Sequence, residues 1–133
     1  MKALIIDNDS RLINQIRQTL EADGHLAVDY ADADQALRQG RNWRPEVVFV
    51  NSELPACWQG DLLDKLARLP DRPAIILTAS LERFDLAWRA WQLGGDEVVF
   101  KPLFGTDEVH RVILTARQKA ITGREYKPFA QAA

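Results

Sequence analysis

The sequence has a single cysteine, Cys57, so no intrachain disulfide can form and a reducing, cytoplasmic setting is expected. It has little net charge: 17 Lys and Arg against 19 Asp and Glu leave a formal −2. That gives no electrostatic case for direct binding to nucleic acid or to an anionic membrane. Long hydrophobic runs are missing too. The apolar part of the opening MKALIIDND is far too short for a signal peptide, and nothing approaches a membrane span. There is no internal repeat and no low-complexity segment. No Gly- or Ser/Thr-rich phosphate loop follows the first apolar run, which weighs against an enzyme such as a flavin protein. A chain of 133 residues with these properties suits one soluble globular domain with a single core.

What is present is a regular alternation of short apolar runs and amphipathic stretches. The most telling run is Val47-Val48-Phe49-Val50, which ends abruptly in Asn51-Ser52-Glu53 and is stopped by Leu54-Pro55. A run this short, apolar and β-branched suits a strand buried on both faces, as in a parallel sheet. Residues 3–7, His25 to Tyr30, Pro73 to Thr78 and Glu97 to Phe100 read as four more strands. Between them, Leu12, Ile13, Ile16 and Leu20 recur with helical period over Arg11 to Ala22, capped by Asp9 or Ser10. Asp32 and Gln35 resemble a capping box for a short second helix that Gly40 closes, with a loop from Arg41 to Pro45. A third helix starts at Gly60-Asp61 and ends at Pro70. A fourth follows the polar loop Ser80 to Asp85 and spans Leu86 to Leu93. The fifth starts at Thr106. Strict β-α alternation five times over predicts an α/β fold: a three-layer, doubly wound (βα)5 sandwich on one five-stranded parallel sheet. Residues 1–120 form the domain, and 121–133 read as a tail or linker.

In such sheets ligands bind beyond the carboxyl ends of the strands, at the point where strand order reverses. The strands end in Asp7-Asn8, Asn51, Thr78 and Lys101. Each could merely cap a turn. An acid, two amides, a hydroxyl and an ammonium at one sheet edge together predict a shared site.

The ordered set LIIDND, VVFVNSELP, IILTA and GGDEVVFKP, with its spacing, resembles the receiver domain of two-component response regulators. The resemblance covers about Met1 to Lys119 and implies the chemotaxis-regulator, flavodoxin-like strand order 2-1-3-4-5. It places the family's phosphoacceptor on Asn51 and its Mg²⁺-holding acidic pair on Asp7 and Asn8. Its switch hydroxyl falls on Thr78, its lysine before a proline on Lys101, and its aromatic gate on Val98. Thr78, Lys101 and Asp7 match. Asn51, Asn8 and Val98 depart, and three departures argue for a naturally altered site.

The family reaction moves a phosphoryl group from a histidine kinase to a carboxylate, with Mg²⁺ as bridge. An amide is a very poor acceptor, since its nitrogen lone pair is delocalised into the carbonyl. Two missing carboxylates also remove charge that a hard divalent cation needs. The expectation is therefore a pseudo-receiver, not an enzyme, with no cofactor and weak or absent Mg²⁺ binding. Asp7, Asp9 and Glu53 are weak metal candidates only. The alternative is a conventional phosphoacceptor receiver whose acceptor has been changed to Asn51 or replaced by a nearby acid. Asn51 and Lys101 are expected within or near hydrogen-bonding reach, closing the pocket without metal.

Receivers commonly signal through the face of the fourth helix, fifth strand and fifth helix. Here that face offers Trp88 as an exposed anchor, with Arg89 and Arg111 as polar contacts. Trp91 and Phe104 are expected to be buried. Trp43 and Trp58 fall in loops, Trp58 beside the pocket, and Cys57 is expected to be inert. The implied partners are proteins of a signalling pathway, such as a histidine kinase or an output domain. A homodimer through the same face is the further implied contact.

Overall fold

The computed structural model describes residues 1–122. Five strands alternate with five helices: β1 (Lys2–Ile6), α1 (Ser10–Ala22), β2 (Leu26–Tyr30), α2 (Ala33–Trp43), β3 (Val47–Asn51), α3 (Asp61–Ala67), β4 (Ala74–Ser80), α4 (Phe84–Leu93), β5 (Glu97–Lys101) and α5 (Thr106–Ile121). A single helical turn, Pro55–Trp58, precedes α3, and a 3-10 turn, Leu81–Arg83, joins β4 to α4. All strand pairings are parallel, in the order β2-β1-β3-β4-β5.

Alternation along each strand divides the core in two. Ala3, Ile5, Val47, Phe49, Ile76 and Val99 face α1 and α5, packing on Leu12, Ile16, Val109 and Ile113. Leu4, Ile6, Val48, Val50, Ile75 and Leu77 face the other layer, packing on Leu37, Leu62, Leu63, Leu66 and Ala90. With both faces covered, the strands need the continuous apolar runs read from the sequence. The turn into β5 is tight: a Cβ on Gly95 would lie 2.5 Å from Leu77 Cδ1, so this position has no room for a side chain.

The structure corrects several local readings. Gly40 does not end α2, which runs on to Trp43. Gly40 instead lets the helix lie close to the sheet, where an added Cβ would sit 3.2 Å from Leu69 and 3.7 Å from Leu4. Trp43 is therefore helical, with Lys2 Nζ over its ring. Trp58 closes the helical turn rather than lying in a loop. α4 begins at Phe84, two residues before the expected Leu86, because the stretch read as polar loop is taken up by β4 and the 3-10 turn. Phe104 is not buried but 89% exposed, and Leu103 takes the inward place. Trp91 is half-buried against the core rather than fully within it. α5 continues through Ile121, and the expected tail or linker lies almost wholly outside the described residues. Residues 123–133 lie outside the described residues.

Candidate functional site

The order of strand addition reverses between β1 and β3, and the polar strand ends meet there. Asp7 follows β1 and is 2% exposed. Its Oδ1 accepts from the backbone N–H of Asn8 at 2.7 Å and of Asp9 at 3.1 Å, and from Asn51 Nδ2 at 3.4 Å. Its Oδ2 accepts from Thr78 Oγ1 at 3.3 Å and pairs with Lys101 Nζ at 3.0 Å. Five donors converge on one carboxylate, which offers about four lone-pair positions. Asp7 is saturated by the protein itself.

Asp9 stands at the mouth. Its Oδ1 caps α1 by accepting from the N–H groups of Arg11 and Leu12, and its Oδ2 lies 3.5 Å from Lys101 Nζ. Burial pushes its carboxyl up, but the Leu12 amide, the Lys101 ammonium and the Arg11 amide outweigh this and hold it below the usual aspartate value. Lys101 thus faces two carboxylates, those of Asp7 and Asp9.

Asn51 is buried at the end of β3, and both ends of its amide are engaged. Nδ2 donates to Asp7, while Oδ1 accepts from the Glu53 N–H at 3.0 Å and so braces the turn that follows. No hydrogen bond joins Asn51 to Lys101; each reaches Asp7 instead. Ser52 is buried, with both its N–H and its hydroxyl donating to the Thr78 carbonyl at 2.9 and 3.0 Å. Glu53 reaches away from Asp7 to Ser80, accepting from its N–H and hydroxyl.

The remaining predicted residues do not enter this cluster. Asn8 is exposed and contributes its backbone N–H. Val98 is half-buried and packs on the core layer beneath α4. The Lys101–Pro102 bond is cis. Arg89 lies over the Trp58 ring at 5.4 Å. Cys57 is buried, and burial pushes its thiol up to about 12, which leaves it unreactive at neutral pH. Arg111 is exposed on α5.

The model of the response regulator receiver domain family matches residues 3–120. The chain belongs to this family. The receiver is 28% identical over 127 residues to the alkaline phosphatase synthesis transcriptional regulatory protein PhoP of Bacillus subtilis, across 92% of the chain and 49% of that protein. It is 30% identical over 105 residues to the transcriptional regulatory protein KdpE of Mycobacterium tuberculosis, across 79% of the chain and 46% of that protein. The receiver thus spans about half the length of the curated relatives it matches. Among solved structures, the CheY-like receiver domain protein of Methanospirillum hungatei superposes with a TM-score of 0.73 at 20% identity, over 92% of this chain and 98% of that one. The receiver domain of a modulated diguanylate cyclase from Desulfovibrio desulfuricans gives 0.74 at 22%, over 91% and 96%. At such identity these two structures carry the fold alone, and the strand order of this chain, β2-β1-β3-β4-β5, is the flavodoxin-like one.

One feature of the receiver was missed in the sequence. Phe100 stacks near Phe84 (centroids 6.3 Å), Phe84 on Trp88 (5.9 Å), and Trp88 on Trp91 (5.4 Å). This row runs from β5 along α4, with Phe84 53% exposed. The spacing 84, 88, 91 is helical and was legible, but placing Phe84 in a loop hid it.

Proposed function

We propose that this receiver is a pseudo-receiver: a two-component signalling module that is not phosphorylated at the usual position and works by protein–protein contact. The observation that carries the reading is the saturation of Asp7. Phosphoryl transfer needs an anionic acceptor and a hard cation with free carboxylate oxygens. At the acceptor position stands an amide with both its ends engaged. The one buried carboxylate beside it has its lone pairs filled by Lys101, Thr78, Asn51 and two backbone amides. Asp9 and Glu53, the remaining acids, are committed to the α1 cap and to Ser80. This donor set does not fit Mg²⁺. In effect the Lys101 ammonium occupies the electrostatic role of the cation.

The working surface is then the face of α4 and β5, where the aromatic row leaves Phe84 and Trp88 open to solvent. Exposed aromatic rings anchor protein interfaces well. The partner is a protein of a signalling pathway, a kinase, an output module or a second copy, in a cytoplasmic setting. Among the described residues no helix is long and apolar enough to cross a membrane.

A titration with beryllofluoride and Mg²⁺, followed by tryptophan fluorescence, tests the reading. No saturable response at millimolar Mg²⁺ is expected. A saturable one would return the chain to the conventional phosphoacceptor reading.

A further inference from the structure

Glu53 is the one acid near the pocket that turns away from it. Its backbone N–H is fixed by the Asn51 side chain, and its carboxylate crosses to the end of β4. There Oε2 accepts from the Ser80 hydroxyl at 3.3 Å and from the Ser80 N–H at 3.4 Å. Ser80 is the residue that flanks the 3-10 turn Leu81–Arg83, and no side chain of that turn's own caps it. Phe84 follows at once and begins the aromatic row. Arg83 is tied to Asp85, which raises its pKa, and it also feels the charge of Glu53. A single side chain therefore spans from the acceptor-position amide to the start of α4.

We propose that Glu53 is a positioning residue whose carboxylate clasps Ser80 and so fixes the start of α4 and the aromatic row it presents. The inference rests on the reading that this row is the working surface. Beyond the Arg83–Asp85 pair and the stacking of Phe84 on Trp88 and Phe100, little burial holds the segment. Leu81 and Phe84 are exposed, and the residues of the 3-10 turn bury nothing fully. A segment with so little burial is set by its hydrogen bonds, and two of these go to one oxygen of Glu53. The clasp gives the altered site a structural role, in which Asn51 braces Glu53, Glu53 holds Ser80, and Ser80 leads into the row.

The test uses the full chain labelled with 5-fluorotryptophan, whose four resonances are assigned by single Trp→Phe variants. Fluorine spectra and amide exchange are compared for wild type, Glu53→Ala, Glu53→Gln, Ser80→Ala and the double alanine variant, without Mg²⁺ or phosphoryl donor. Glu53→Ala is expected to shift the Trp88 and Trp91 resonances, leave Trp43 in place, and speed exchange over residues 81–84 by about tenfold, as for a lost bond to a charged acceptor. Glu53→Gln keeps a carbonyl acceptor and is expected to restore most of the wild-type pattern. The double variant should go no further than Glu53→Ala. An unmoved Trp88 in Glu53→Ala, a glutamine variant that behaves as the alanine one, or a shift of all four resonances together would each overturn the proposal. Because no phosphoryl chemistry enters the measurement, its failure is distinct from failure of the pseudo-receiver reading.

Discussion

At the ends of β1, β3, β4 and β5, Asp7 and Asp9 share the single Lys101 ammonium in a pocket that excludes water from Asp7. On α4, beside the same sheet edge, Phe84 and Trp88 stack on each other and face solvent. The pocket has used its valences internally, while the helix face has apolar surface left over. In a phosphorylated receiver the pocket would be the part with uncompensated charge. Under the pseudo-receiver reading proposed above, the capacity for new contacts lies on the surface rather than in the pocket.

The sharpest way to break this comparison is to take the counter-charge out of the pocket. Lys101→Met strands Asp7, and chemical denaturation should show a loss of about 3 kcal/mol, the low end for a broken buried pair. The low end applies because four other donors still reach Asp7. On the opposite side, Phe84→Ala removes a half-exposed ring and should cost about 1 kcal/mol or less in the same measurement. Its larger effect should be on association, read as weaker concentration dependence in sedimentation equilibrium. If Phe84→Ala destabilised the fold more than Lys101→Met, the row would be core and the contrast would fail.

Acid provides a milder probe. Asp9 has a lowered folded-state value, so its contribution is present above the unfolded value of about 3.9 and is lost as the pH falls through the folded one. Thermal melts from neutral pH down should show that Asp9→Asn flattens the low-pH end of the stability profile and leaves the shape between pH 5 and about 8 as it was. A changed slope near neutrality would contradict the assignment. The smallest effect belongs to the cation–π contact behind α4. Arg89→Ala should cost about 0.5–1 kcal/mol in a thermal melt, because the guanidinium over Trp58 is exposed.

The strand ends were legible because a buried parallel strand writes its own signature, a run such as Val47 to Val50 stopped by Asn51. The topology then brings the strand ends together without further information. Local chemistry shared between two structures was harder to read. Asp9 looks like a helix cap, and it is one, yet its second oxygen faces Lys101 from another strand. Gly40 looks like a helix stop but serves the approach of α2 to Leu69 and Leu4. Ser80 to Asp85 has the polarity of a loop, so Phe84 was set outside α4 and the aromatic row was reduced to Trp88 and Trp91. Phe104 and Leu103 are both apolar neighbours, and only the path of the chain after cis Pro102 decides which one turns inward. In each case the missing information was a partner distant in sequence.

In the pseudo-receiver proposed above, the acceptor seat holds an amide, Asn51, beside a saturated acid, Asp7. Intact-mass spectrometry after incubation with acetyl phosphate and Mg²⁺ tests it most directly, with wild type and Asn51→Asp side by side. The account predicts no mass gain for the wild type and a phosphoryl-sized gain for Asn51→Asp, whose new carboxylate supplies the acceptor and loosens the hold on Asp7. A phosphoryl-sized gain in the wild type, mapped to Asp9 or Glu53, would contradict it.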